Sequence, residues 1–468
     1  MPTNPNLPNT FIKDLQRFVT DDQLLLEPED CWSYGYDNSK RHELPDAIVL
    51  CHHSDEAKAI VQYCFKHQIP IVPRGRGTGT TGAAVPIKKG IVLSLEQMNK
   101  KIIINSADRY AIVDPGVTNQ ELQIEAQKHG FFWPPDPTSS AYCTVGGNLA
   151  YNSAGPRAVK YGTPRENTLG VRAIIGTGEE IQTGVYTTKG VVGYDLTRLL
   201  IGSEGTLGII TEATLKLTPL AEAKCTIQAL YTDIDGAAKA ISSIMAQPII
   251  PCALELIDRP ALQCIQQYSG INFNDNIAAM LMIEVDGSQN HLIETANQLL
   301  KSAENDSCDS IIIADTQEKI DQLWNTRKAL SPALRNIAPK KINEDVVVPV
   351  SKIPDLIKGL EQLSTKYQIK IVNFGHAGNG NIHVNLLVNP DDQAESKRSH
   401  DCLEDMFKLV LSLKGSLSGE HGVGMEKQPF VGWEIDPVSL RLMRNIKKQF
   451  DPKNILNPDK MFPLEESE

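Results

Sequence analysis

Short runs rich in Val, Ile and Leu, bounded by Gly, Pro or Asp, recur through the first half of the chain: Ala47–Leu50, Ile71–Pro73, Ile91–Leu93, Ala111–Val113 and Gly208–Leu217. Such runs read as strands. Between them, Ser54–His67 and Thr118–His129 space their apolar residues as helices do. Thr118 suits an N-cap, and Gly130 suits the left-handed position past a C-terminus. From about 221 to 416 the elements lengthen. Strand-like Cys225–Leu230, Met280–Val285, Ser310–Ala314, Ile369–Phe374 and Ile382–Val388 alternate with helical Ile234–Gln247, Leu292–Glu304 and Gln317–Arg327. This predicts a second α/β layer on an antiparallel or mixed sheet. Beyond 417 come Gly-rich turns, a basic helix over Pro437–Phe450, and a Pro- and Asn-rich end.

The 468 residues suffice for about three folding units. The net charge of -11 argues against a general nucleic-acid binder, though not against a local basic pocket for a small acid. The longest apolar run, Ile277–Ile283, is far short of the ~18 residues that a membrane span needs. Met1–Asn9 is polar and Pro-rich and resembles neither a secretory signal nor a transit peptide, so a cytoplasmic chain is expected. A basic patch docking at the inner face of a membrane stays open. The nine cysteines are scattered and form no C-x-x-C pair, which fits buried fillers rather than a disulfide framework or an iron–sulfur centre.

Gly77-Thr-Gly79-Thr-Thr-Gly82 follows a strand and satisfies G-x-G-x-x-G. A nicotinamide fingerprint opens directly into a helix, however, and Pro86 breaks any helix started here. What remains is an anion-binding loop: Pro73, Arg74, Gly75, Arg76, Gly77, Thr78 and Gly79. The plainer alternative is a tight turn with solvated arginines. Two more small-residue loops follow, Pro134–Ser140 leading into Thr144–Pro156, and Gly202–Thr211. Three such loops can wrap an extended ligand.

These loops resemble those of the FAD-linked oxidases and dehydrogenases of the vanillyl-alcohol oxidase and p-cresol methylhydroxylase superfamily. The match rests on Pro73–Gly79, Pro135–Ser139, Gly146–Gly155 and Gly202–Thr211, with a closing signature over Asn454–Lys460. The resemblance implies an α+β fold. A two-subdomain FAD-binding domain would span 1–220, a substrate domain with an antiparallel sheet 221–416, and a segment returning to the FAD domain 417–468. It implies that Pro73–Gly79, Pro137, Thr138, Ser139, Gly146, Gly147, Asn148, Asn152, Ser153, Gly155, Glu204, Gly208, Ile209, Ile210 and Asn457 hold FAD. Residues 74–86 contain no His or Tyr for a covalent link, so the FAD is expected to be non-covalent. Gly375–Asn385 and Ser418–Gly424 narrow the resemblance to the branch acting on D-2-hydroxy acids, which includes D-lactate dehydrogenase, the flavin subunit of glycolate oxidase and D-2-hydroxyglutarate dehydrogenase.

Gly- and Asn-rich Ala377–Asn381 predicts a hairpin that sets His376 and His383 on facing strands, with Asn385 on the same face as His383. With Glu420 they make a His, His, carboxylate set suited to zinc, iron or manganese. Two locally hydrogen-bonded histidines without a metal are the alternative. The resemblance makes His376, His383 and Glu420 ligands, zinc being the expected ion, and His421 the catalytic base. Oxidation of a 2-hydroxy acid needs its carboxylate held, its hydroxyl acidified and deprotonated, and its C2 hydrogen turned to flavin N5.

The carboxylate anchor is expected to be Arg327, in the family's Trp-x-x-Arg context, rather than a surface helix charge. Relatives that take 2-hydroxyglutarate hold its distal carboxylate with a hydroxyl and a lysine, whose places fall on Ser331 and Asn343. Lys341 is two residues from the second place. This departure favours D-lactate or another small monocarboxylate, with 2-hydroxyglutarate oxidation and a glycolate oxidase flavin subunit as alternatives. Electrons would pass to a quinone, a cytochrome or an electron-transfer flavoprotein. A homodimer is the working expectation for assembly. Two readings outside this one are a non-catalytic subunit of a larger complex and a metal-free alcohol oxidase of the same fold.

Overall fold

The strand Ala47–Leu50 pairs in parallel with Ile91–Ser94, which pairs in parallel with Ile71–Arg74; Leu24–Leu25 adds an antiparallel edge. The helix Ser54–His67 links two of these strands and buries Ala57, Ile60, Val61 and Cys64 against the sheet. It ends on Gln68 in the left-handed conformation. A second sheet is antiparallel throughout, in the order Ile102–Asn105, Tyr110–Val113, Ile209–Lys216, Thr168–Ile174, Glu180–Gly184. Its core takes Leu122 and Ala126 from the helix Asn119–Lys128 and Val145 and Leu149 from the helix Val145–Tyr151. Thr118 caps the first of these, accepting from Glu121 N at 3.1 Å, and Gly130 past its end has φ +80°.

The computed structural model describes residues 7–269, 272–314, 316–328 and 330–464. These sheets belong to one of two units, made of the chain up to Ala154, Gly162–Leu220 and Glu420 onward. The C-terminal stretch lies along the first sheet: Ile71 N donates to Ile455 O, and Asn457 N to Ile71 O, each at 2.7 Å.

The other unit comprises Gly155–Tyr161 and Ala221–Gly419. Its seven strands run in the order Cys308–Ala314, Ala223–Tyr231, Ala279–Gly287, Ala253–Asp258, Lys370–His376, Asn381–Val388, Lys340–Val347, every neighbour antiparallel. The helices Arg259–Ser269, Gln317–Lys328 and Leu330–Ile337 bury their apolar faces on one side, over Ile257, Met280, Val372, Phe374 and Leu387. The helices Ile234–Ala246, Leu292–Ala303, Ile353–Tyr367 and Gln393–Ser412 form a separate packed group against the same strands. The architecture is α+β. Among the described residues no helix is long and apolar enough to cross a membrane.

Candidate active site

The strand Ile71–Arg74 runs straight into the first glycine loop. No helix follows it, as the block at Pro86 predicts. Among the described residues, none of the backbone N–H groups of Gly75–Gly79 donates to a protein acceptor. Five successive N–H groups left over by the protein are available to an anion, which fits the pyrophosphate of a dinucleotide. The loop is glycine because it is crowded. A Cβ on Gly75 would lie 2.4 Å from Thr144 Oγ1, and one on Gly79 2.5 Å from Tyr151 Oη. The first and second loops therefore pack directly on one another.

The two loop arginines differ. Arg74 is buried and donates to Tyr36 O at 2.7 Å and Ser33 O at 3.3 Å, so its guanidinium ties the loop to the N-terminal segment. Arg76 is half-exposed and 3.9 Å from Glu96. In the second loop, Asp136 N donates to Ala154 O at 2.9 Å and Ser140 N to Pro137 O at 2.9 Å, which closes the turn that carries Thr138 and Ser139. Gly146 N reaches Pro115 O, and Gly147 N reaches the N-cap Thr144 Oγ1 at 3.1 Å. Asn148 is buried. Asn152 is left-handed and accepts from Thr163 Oγ1 and Arg165 N. Gly155 falls in the other unit.

Glu204 organises the third loop. It is a non-glycine residue at φ +52° and is almost fully buried. Its carboxylate accepts from Val423 N at 2.6 Å and Gly424 N at 2.8 Å. Burial pushes its carboxyl up to about 6, with the two backbone donors acting in the opposite direction. Asn457 Nδ2 donates to Glu204 O at 2.8 Å and Ala83 O at 2.9 Å. Lys460 donates to Ala83 O and Val85 O, its ammonium pushed down to about 8 by burial. Glu204 and Asn457 thus bind loop to loop. Gly208 approaches Leu200, while Ile209 and Ile210 lie buried in a strand paired with Ile174 and Ala173. Ser153 Oγ donates to Glu420 O, and Thr81 Oγ1 to His421 O, each at 3.3 Å.

In the other unit, strand register gathers the remaining chemistry. Residues directly opposite in an antiparallel pair share a face, as do residues two apart on one strand. His383 lies opposite Phe374 and Asp345, Asn385 opposite Val372 and Asn343, and His376 opposite Glu255. Glu255, His376, His383, Asn385 and Asp345 therefore project from one sheet face, all buried. The two imidazoles stand edge to face with centroids 5.1 Å apart. Glu255 Oε1 lies 2.5 Å from His376 Nδ1, and Oε2 accepts from Arg327 Nε at 2.8 Å. Burial alone would raise the Glu255 carboxyl. The His376 ring and the Arg327 guanidinium outweigh it and hold the group well below the usual carboxylate range.

Arg327 is not a surface charge. Its side chain is 13 % exposed, and its guanidinium lies 4.5 Å from the Phe374 ring centroid. One turn earlier, Trp324 Nε1 donates to Glu284 Oε2 at 2.7 Å. The helix is pinned to the sheet by two buried glutamates, which is what the Trp-x-x-Arg spacing achieves. Arg327 spends only Nε on the protein; among the described residues its Nη1 and Nη2 make no hydrogen bond. Asn385 Nδ2 donates to Val372 O and His383 O, while its buried Oδ1 has no protein partner among the described residues. Two imidazoles beside buried carboxylates and an unsatisfied amide oxygen fit a divalent cation and an oxygen ligand.

Asp345 also accepts from Gly419 N at 2.9 Å and Asn381 Nδ2 at 2.5 Å. Glu420 and His421 follow Gly419 directly in the chain. Lys341 lies on the strand Lys340–Val347 opposite Leu387. Ser331 falls in the helix Leu330–Ile337, its side chain outside the described residues. Sequence reasoning missed Glu255, Glu284 and Asp345. The available signal was an acidic residue inside an otherwise apolar strand, as in Ala253–Asp258.

Comparison with known proteins agrees with this anatomy. Residues 45–184 match the FAD binding domain, and residues 220–461 match the C-terminal domain of FAD linked oxidases. The chain is 38% identical to the glycolate oxidase subunit GlcD of Bacillus subtilis, over 92% of each chain. It is 33% identical to a D-lactate dehydrogenase of Archaeoglobus fulgidus, over 97% of this chain and 99% of that one. A D-lactate dehydrogenase of Anaerostipes hadrus is 32% identical over 89% of each. Among solved structures, p-cresol methylhydroxylase with substrate bound superposes with a TM-score of 0.78 at 18% identity, covering 96% of this chain and 95% of that one. Cradle, loop ties and both matched domains lead to one conclusion: the chain belongs to the FAD-linked oxidases and is an FAD-dependent oxidoreductase.

Proposed function

We propose that this oxidoreductase oxidises D-lactate or a similarly small D-2-hydroxy acid to the 2-oxo acid, with non-covalent FAD and a divalent cation, zinc being the first candidate. The observation that carries the reading is the shared sheet face. Over it the helix residue Arg327 rests on Glu255 and Phe374, Glu255 being the partner of His376, while the face itself carries the ring pair His376 and His383; among the described residues Arg327 Nη1 and Nη2 and Asn385 Oδ1 have no hydrogen-bond partner.

The substrate carboxylate would lie on Nη1 and Nη2 of Arg327, whose plane is already fixed by Glu255 and Phe374. Held there, the substrate would direct its 2-hydroxyl toward His376, which shares Glu255 with Arg327. His376, His383 and Glu420 would be the cation's ligands, Glu420 being one peptide bond beyond Gly419, which Asp345 holds. When bound, FAD supplies the two-electron acceptor and the cation supplies the charge that acidifies the hydroxyl. His421, adjoining Glu420 in the chain, takes the hydroxyl proton; a neutral imidazole is the acceptor suited to pH 7. Electrons would leave for a quinone, a cytochrome or an electron-transfer flavoprotein. The names of the Archaeoglobus and Anaerostipes relatives support lactate. The Bacillus relative supports a second reading, a flavin subunit acting on glycolate. D-2-hydroxyglutarate is the weaker choice, with asparagine at position 343 and only Lys341 nearby.

A substrate panel tests the reading. D-lactate, glycolate, D-2-hydroxyglutarate and L-lactate are mixed anaerobically with the flavin-loaded protein and the flavin bands are followed. D-lactate should bleach them and L-lactate should not. If no 2-hydroxy acid bleaches the flavin, the assignment is wrong. His421→Ala should keep the flavin and lose the reduction.

A further inference from the structure

We infer that Glu255 is the positioning residue that joins the cation site to the carboxylate anchor, by fixing the tautomer of His376 and the plane of Arg327 at once. The inference rests on the proposed function and extends it to a residue outside the ligand and base set.

Glu255 is 1 % exposed and lies between two partners, one on each oxygen. An arginine Nε–H can only donate, so Oε2 must accept. On the other side, an ionised carboxylate can only accept. The Nδ1 it faces must therefore carry the proton, and Nε2 is then the ring nitrogen that can ligate. The register makes this arrangement rigid, because Glu255 and His376 are direct partners on adjacent central strands. Arg327 is held on its second side by Phe374. One buried carboxylate thus orients a cation ligand and a substrate anchor that come from a strand and a helix 49 or more residues apart in sequence (376 against 327).

Glu255→Gln separates the two roles. A glutamine keeps one acceptor oxygen and gains an N–H₂ donor. Arginine cannot accept, so the oxygen must stay on Arg327 and the amide N–H₂ must face His376 Nδ1. That forces the proton onto Nε2, the nitrogen needed for the cation. The expected result for FAD-loaded full-length protein is a Zn2+ dissociation constant raised about 10- to 100-fold, read by competition with a chromophoric chelator. The KM for D-lactate at saturating Zn2+ should change less than about threefold, since Arg327 keeps its partner. A purely structural Glu255 would lower the melting temperature and leave the Zn2+ affinity of the folded protein alone, and that result overturns the inference.

A measurement on the wild type needs no variant. With 15N-labelled histidine and bound Zn2+, long-range proton–nitrogen correlations should show His376 protonated at Nδ1. Protonation at Nε2 overturns the inference, whatever the variant does. Wild-type protein that binds none of Zn2+, Mn2+ and Fe2+ would overturn the proposed function itself, whereas a wild type that binds Zn2+ beside an equally competent Glu255→Gln overturns only the role given to Glu255.

Discussion

Replacing Gly75 by Ala tests whether the first two loops are one dinucleotide cradle. The added Cβ would sit 2.4 Å from Thr144 Oγ1 and 3.5 Å from the Thr144 Cβ and Cγ2. Favourable contacts between heavy atoms begin near 3.5 Å, so the oxygen is about 1 Å too close. Two responses are open. Thr144 can rotate away, giving up its bond to Gly147 N and with it an N-cap worth about 1 kcal/mol. Otherwise the loop shifts by about 1 Å and carries the donors of Gly75–Gly79 with it. Either response weakens the cradle, and we expect the FAD dissociation constant to rise at least tenfold, which is about 1.4 kcal/mol. The assay is quenching of flavin fluorescence on titration into apoprotein, with the apoprotein melting temperature as control. The double variant Gly75→Ala with Thr144→Gly removes the obstructing atoms, and Gly is a tolerable N-cap, so it should recover most of the affinity. Wild-type FAD affinity in Gly75→Ala alone would refute the packing argument.

Three other outcomes follow from the geometry. Glu204 titrates near 6 in the folded chain, against about 4.3 for an unperturbed carboxyl. The folded state therefore binds that proton more tightly than the unfolded one. Stability from this group is greatest below about pH 4 and is lost as pH rises to about 6, in total about 2 kcal/mol. Denaturant unfolding of wild type and Glu204→Gln across this range should show a steeper loss in the wild type, the two curves diverging by about 2 kcal/mol; parallel curves contradict it. Arg327→Lys keeps the charge and loses the planar fork, so kcat/KM for D-lactate should fall about 10- to 100-fold, and an unchanged value removes Arg327 as anchor. Trp324→Phe deletes the bond to Glu284 two residues along the sheet face from the site, and it should raise the KM several-fold while leaving Zn2+ affinity as in wild type; lost affinity would mean that the helix does more than carry Arg327.

The sequence was most legible where the periodic pattern and the local chemistry agree. The helix over Ser54–His67 and the cap at Thr118 appear as read, and so does the basic helix Pro437–Phe450. The hairpin that faces His376 with His383 also forms, because Gly380 supplies the positive φ of 74° at its turn. The strand Lys340–Val347 was hidden. Its inward positions are Asn343 and Asp345, so the apolar alternation that marks a strand is replaced by polar residues where the sheet face becomes a site. The partners of Arg327 and Trp324 were hidden for a related reason. Glu255 and Glu284 lie 72 and 40 residues away in the chain, and only strand register brings them under the helix. Arg74, which the loop motif suggests for phosphate, turns inward to backbone carbonyls instead, a choice set by Tyr36 and Ser33 outside the motif.

The most direct test is anaerobic reduction of the bound flavin by D-lactate in one preparation measured three times: as purified, after chelation and dialysis, and after Zn2+ is restored. The account predicts rapid bleaching, then none, then rapid bleaching again, with the flavin retained throughout. Equal bleaching in the chelated sample would contradict the proposed cation site at His376 and His383.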